Sequence, residues 1–219
     1  IILFLFVSCG KKSVGFTPEE RRAADSIVST VHSVDSLALL QKRLEAEGNR
    51  LGSIAALREW GKALRNESRF DESLRVHGEG LKQAESLGDT LEWVQALNYI
   101  GTDYRRLGVL DAAQEYHYRA LKLCEACTDT SFTAKKNRVK SLNGLGNIYL
   151  TLGNYERADS AFRLALAGER ALGSAVGQAI NYANLGSIFK HRRQNDSAWV
   201  YYRRSMELNQ KAGNDIGIA

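Results

Sequence analysis

Histidine and cysteine carry most of the reactive potential in this sequence. His77 and His117 lie in its interior, and His32 and His191 complete the set. A metal site or a general base needs partners at fixed spacing, and none recurs beside either inner histidine. The slot holding His77 and His117 in two successive segments holds Phe162 and Tyr202 in the next two, which assigns both histidines to aromatic packing. Cys124 and Cys127 stand three residues apart near the expected end of a helix. A lone C-x-x-C is a weak zinc signal, so three readings stay open: free thiols, a local disulfide if the chain is exported, or a metal. No nucleophile elbow, Walker loop, H-E-x-x-H or dinucleotide fingerprint occurs. Gly78-x-Gly80 and Gly144-x-Gly146 fall inside expected helices and read as packing glycines. No catalytic residue, metal or cofactor is assigned, and an enzyme is not expected.

Composition narrows the scaffold that must hold these residues. The 219 residues are 44% hydrophobic and 25% charged, which excludes wholesale disorder and a multi-spanning membrane protein. A single proline in the whole chain argues against a turn-rich β fold and for helices joined by short, glycine-containing loops. Lys and Arg number 30 against 25 Asp and Glu, a formal charge of +5, but the two signs are mixed and form no long run. Nucleic acid is therefore an unlikely partner.

The N-terminus opens on the apolar run Ile1 to Val7, followed by Ser8-Cys9-Gly10-Lys11-Lys12. A hydrocarbon core needs about 20 residues to cross, whereas the apolar part of a signal peptide needs only roughly 7 to 15. The stretch Phe6-Val7-Ser8-Cys9 resembles a bacterial lipoprotein box, although Phe6 stands where Leu is usual. That resemblance implies lipidation at Cys9 and a membrane anchor. With no Met and no basic leader at Ile1, the true start is expected a few residues upstream; an ordinary cleaved signal, or a mis-called start, is the other reading. Residues 1–9 are thus expected to be a signal segment and 10–16 a linker.

Beyond residue 50 the sequence repeats itself. A large apolar residue and a Gly recur at Gly61, Gly101, Gly146 and Gly186, spaced by 40, 45 and 40 residues. Each is followed by an apolar or aromatic residue three positions on: Leu64, Tyr104, Tyr149 and Phe189. In the second copy Val94, Leu97, Ile100, Tyr104 and Leu107 form an apolar helical stripe that Gly108 terminates, and Ala113, His117, Ala120 and Leu121 form another. Asp71, Asp111, Glu156 and Asp196 recur at the start of the second helix, where a carboxylate meets exposed N–H groups and the positive end of the dipole. One such hairpin cannot cover its own stripe, so the hairpins must stack. The boundaries read as 53–88, 89–130, 136–173 and 174–212, with five extra residues between Cys124 and Arg138. Residues 17–52 read as an irregular N-terminal hairpin, with Thr17 as N-cap and Pro18 at the first helical position. Residues 213–219 match the lead into a fifth repeat, as expected for a piece of a longer protein.

Leu142, Leu145, Gly146, Tyr149, Gly153, Tyr155, Ala158, Phe162, Ala165 and Leu166 resemble the tetratricopeptide repeat. The likeness is firm over 54–210 and looser over 17–53. The period of about 40 exceeds the usual 34 or so, and resembles the longer-repeat subgroup of bacterial regulators and cytoskeletal adaptors. The resemblance implies an all-α, right-handed superhelical solenoid of stacked antiparallel hairpins whose first helices line a concave groove. Positions matching the family's contact sites are Arg58, Lys62, Arg65, Asn98, Thr102, Arg105, Arg106, Lys140, Asn143, Asn147, Lys190 and His191. Basic and amide side chains of this kind can hydrogen-bond a peptide backbone or carboxylate.

The expected function is a non-catalytic scaffold that binds a protein or peptide, plausibly with acidic groups, on the periplasmic face of a bacterial membrane. The alternative is the sensory input region of a membrane-bound histidine kinase or transcriptional regulator whose output module lies beyond residue 219.

Overall fold

The computed structural model describes residues 15–214, and every regular element among them is helical. In chain order these are α1 (Pro18–Ser29), α2 (Val34–Ala46), α3 (Arg50–Asn66), α4 (Phe70–Leu87), α5 (Thr90–Arg106), α6 (Leu110–Ala126), α7 (Phe132–Thr151), α8 (Tyr155–Ala171), α9 (Ala175–His191) and α10 (Asn195–Lys211). The expected signal segment with Cys9 and the last five residues lie outside the described part.

Local chemistry explains the boundaries. Thr17 Oγ1 accepts from the Glu20 N–H at 3.2 Å while Glu20 Oε2 accepts from the Thr17 N–H at 2.7 Å, a reciprocal cap that starts α1 with Pro18 at its first position. Helices α5 and α6 are joined by a turn in which Gly108 takes φ 79°. Its neighbour's N–H, on Val109, reaches back to the Tyr104 carbonyl at 2.9 Å. The equivalent corners after α3 and α9 place Ser68 and Arg193 at φ 62° and 59°, where a Cβ is strained.

Four hairpins, α3–α4, α5–α6, α7–α8 and α9–α10, pack internally, and each second helix packs on the first helix of the next hairpin. The result is a right-handed superhelical solenoid. The recurring glycine has a steric cause. A Cβ on Gly61, Gly101, Gly146 or Gly186 would come within 3.0 Å of a ring atom of His77, His117, Phe162 or Tyr202 respectively. The ring slot of each second helix lies flat on the glycine of its own first helix. This close approach lets the two backbones pack without a void.

Two features depart from a uniform stack. The five extra residues are taken up by the connection Cys127–Ser131 and by an extended α7, which has 20 residues where its counterparts have 17. The N-terminal pair is not a hairpin, contrary to expectation. Helix α1 packs chiefly on α3 and meets α2 only through side chains of a shared core. The reason lies in its small buried face: Ala24 and Val28 share a core with Leu51, Ala55 and Ala56 of α3 and with Leu40 and Leu44 of α2.

Candidate protein-interaction surface

The first helices bring polar side chains together in two buried seams. In the first, between α4 and α5, Asp103 is fully buried. Its Oδ1 accepts from Arg65 Nη1 at 2.9 Å and lies 2.9 Å from Ser73 Oγ, while its Oδ2 contacts His77 Nδ1. Serine, histidine and aspartate thus meet, but not as a nucleophilic triad. Ser73 approaches the same ring nitrogen as the aspartate, its hydroxyl lies 2.8 Å from the Gly61 carbonyl, and Nε2 faces the Arg58 carbonyl. A general base would need its free nitrogen on the nucleophile and an open path for substrate; all three side chains are buried.

The second seam joins α5, α6 and α7. Asn98 accepts from Ser141 Oγ at 3.0 Å, lies 3.0 Å from His117 Nδ1, and donates to the Asn137 carbonyl at 3.2 Å. Asn137 donates in turn to the Leu91 carbonyl at 3.1 Å. Burial, reinforced by the Arg105 charge, pushes the His117 imidazole down to about 4, so the ring is neutral near pH 7. Among the described residues no three His, Cys, Asp or Glu side chains converge as metal ligands would.

The twelve residues expected to line the groove separate into different environments. Asn98 is a correction: it is 3% exposed and belongs to the α5–α7 seam. Arg58 and Arg65 are corrections too, because neither is a free cation. Arg58 is ringed by Asp25, Glu59 and Glu92, and Arg65 holds Asp103. Lys62 pairs with Glu59 at 2.6 Å. Thr102 spends its hydroxyl on the Asn98 carbonyl. His191 stacks on Tyr155 of α8 at 5.7 Å, and Lys190 beside it is exposed. Of the three readings open for the cysteine pair, the structure has the free thiols: Cys124 packs toward Val94, Leu97 and Ala120 without a bridge to Cys127, and burial pushes its thiol up to about 11.

What remains is a cluster around Tyr99, a residue that family position did not select. Lys140 Nζ donates to Tyr99 Oη at 2.9 Å and sits 4.4 Å from the ring centroid. Arg65 lies 5.7 Å from the same ring, and His77 stacks on it at 5.1 Å. Burial alone would raise the phenol, yet Lys140, Arg58 and Lys62 together hold it below its ordinary value. Burial, with Arg106 and Arg65 nearby, lowers Arg105, which marks an excess of positive charge at the ends of α3 and α5. Among the described residues no carboxylate pairs with Lys140, Arg105 or Arg106. Asn143 and Asn147 continue this face on α7, and Asn143 Oδ1 is buried without a hydrogen-bond partner.

A second opening, a cleft of about 590 Å³, lies between α8 and α10. Its arginines are engaged: Arg163 with Asp159 and Tyr201, Arg170 with Tyr182, and Arg204 with Glu207.

Tetratricopeptide-repeat family models match residues 93–126, which span α5 and α6, and 139–167, in α7 and α8. These two stretches are tetratricopeptide repeats. No curated protein matches the sequence. Solved structures containing such helical solenoids do match. BtubC (BKLC) from P. vanneervenii superposes with TM-score 0.66 at 20% identity, over 88% of this chain and 73% of that one. MamA gives 0.56 at 19% identity, over 86% and 96%. A Rap protein complexed with competence and sporulation factor gives 0.62 at 14% identity, over 89% and 66%. These likenesses establish the fold. Among the described residues no helix is long and apolar enough to cross a membrane.

Proposed function

We propose that this chain is a non-catalytic docking scaffold, exported and lipid-anchored at Cys9, that holds an acidic segment of a partner protein against Tyr99 and α7. The observation that carries the reading is Lys140, a cation whose hydrogen bond goes to a phenol while no carboxylate among the described residues neutralises it. Arg105 and Arg106, with Arg65 close to Arg105, add positive charge, unpaired among the described residues, further along the preceding first helix, on the face that Asn143 and Asn147 of α7 continue. A carboxylate can take two or more donors from such a set, and the ring supplies apolar contact. Anchoring is supported by the Ile1–Cys9 segment alone.

The docking reading is tested with a fluorescent octaglutamate probe and an octaglutamine control. Binding that weakens with salt and falls at least tenfold in Arg106→Gln/Lys140→Gln supports it; undiminished binding in that variant defeats it. Anchoring is tested by incorporation of labelled palmitate, which Cys9→Ser should abolish.

A further inference from the structure

Helix α1 lies against the first helices α3 and α5. It departs from α2 through the short connection Thr30–Ser33, packs on α3, and reaches over to the start of α5. The residues it presents are Arg21, Ala24, Asp25 and Val28, spaced i, i+3, i+4 and i+7, which places them on one helical face. The two apolar members are buried against α3. The two charged members complete a ladder: Arg21 pairs with both Asp89 and Glu92, Glu92 with Arg58, and Arg58 with Asp25. Asp89, Glu92 and Arg58 all belong to α3, α5 and the cap before α5, so the trough carries two buried acids and one base of its own. Arg21 and Asp25 are the complementary charges. Beside the C-terminal half of α1 the trough opens into a recess of about 360 Å³ lined by Asp25, Val28, Ser29, Arg58, Glu59 and Tyr99.

We propose that the α3–α5 trough is a receptor site for an amphipathic helix, and that α1 is its built-in occupant, displaced when a partner helix with the same Arg-x-x-small-Asp-x-x-apolar face arrives. The inference rests on the scaffold reading above and names a second, helical determinant for it. A helix of 12 residues is marginal by itself in water, so α1 owes its form to the trough. The short tether keeps α1 at high effective concentration, which sets a threshold that only a well-matched partner passes. A partner helix with bulkier side chains on the flank toward Glu59 and Tyr99 fills the recess that α1 leaves open. That extra contact is the differential affinity needed to shift the equilibrium.

The test uses the full chain and a labelled synthetic peptide of residues 15–32. In Arg21→Glu/Asp25→Arg, both ion-pairing positions of α1 carry the wrong sign for the trough. That variant should bind the wild-type peptide at least tenfold more tightly than the wild-type chain does, and adding Glu92→Gln in the trough should remove the gain. Equal binding by the two chains, or binding by neither with circular dichroism unchanged, overturns the proposal. Hydrogen exchange on the wild-type chain gives an independent reading: α1 amides should exchange through local opening while α3 and α5 stay protected, and protection of α1 equal to that of α3 overturns it as well. The octaglutamate assay reads Lys140 and Arg106, so failure of one test is distinguishable from failure of the other.

Discussion

His77 on α4 and Asp103 on α5 meet across the boundary between the first two hairpins, Nδ1 against Oδ2, with both side chains out of reach of solvent. Between the third and fourth hairpins Phe162 and Ile188 take the corresponding slots, and both are fully buried. The same architecture is therefore sealed by a polar contact at one joint and by an apolar one at another.

Replacing Asp103 alone should be severe. Asp103→Ile leaves Arg65 and His77 without their carboxylate, and losing one member of a buried charged pair costs about 3 to 5 kcal/mol. Installing the apolar pair His77→Phe/Asp103→Ile should recover most of that loss, because Arg65 is 14% exposed and can turn to water. Urea unfolding of the two single variants and the double variant measures the coupling.

Acid should weaken the fold through His117. Its folded pKa of about 4 lies below the ordinary value near 6.5, so the unfolded chain takes up a proton that the folded chain refuses. Stability from this group is complete above about pH 6.5 and is lost as pH falls toward 4, by about 3 kcal/mol in total. In His117→Phe the slope of unfolding free energy against pH over that window should flatten.

Glycine substitutions should change sign with position. Gly146→Ala drives a methyl to 2.6 Å from the Phe162 ring and should cost about 1 to 3 kcal/mol through overpacking. Gly78, on α4, has nothing within 4 Å of an added Cβ, so Gly78→Ala should stabilise by up to about 1 kcal/mol through helix propensity. Thermal melts of the two variants should move in opposite directions.

At the corners after α3 and α9 the strained residues invite relief. Ser68→Gly and Arg193→Gly should each stabilise by about 1 kcal/mol, since both hold positive φ where the other hairpins use Gly108 and Gly153. A fall in melting temperature for either would show that the side chain makes a compensating contact.

The repeat was legible in the sequence because its physics is local: stripe spacing, helix-stopping glycines and the shared slot of His77, His117, Phe162 and Tyr202 all lie within short windows. Asp103 also left a trace, as an acid where repeats three and four carry Ile148 and Ile188, and a histidine one helix earlier should have drawn attention to it. The groove residues were less legible because position in a repeat fixes where a backbone lies, but neighbours decide whether the side chain is free. Asn98 was claimed by Asn137, a residue of the extended α7, and Arg58 by acids of α1 and α5. The contact of Arg21 with Glu92 spans 71 residues and depends on α1 packing chiefly on α3, which no periodicity encodes.

The unequal sealing of the joints bears on how such arrays can evolve. Between α8, α9 and α10 the core is aromatic and aliphatic, with Phe162, Leu166, Leu185 and Ile188 surrounded by tyrosines, while buried Asn181 bonds within its own helix and buried Glu169 back to Lys136 of α7. Grease of that kind tolerates exchange, so copying or deleting a unit there leaves a serviceable junction. The earlier joints work as lock and key: Asp103 fits only behind His77, and Asn98 only before Asn137. Shuffling those units would strand buried charge and amide groups, which fixes the order of the front of the array while its rear stays free to lengthen.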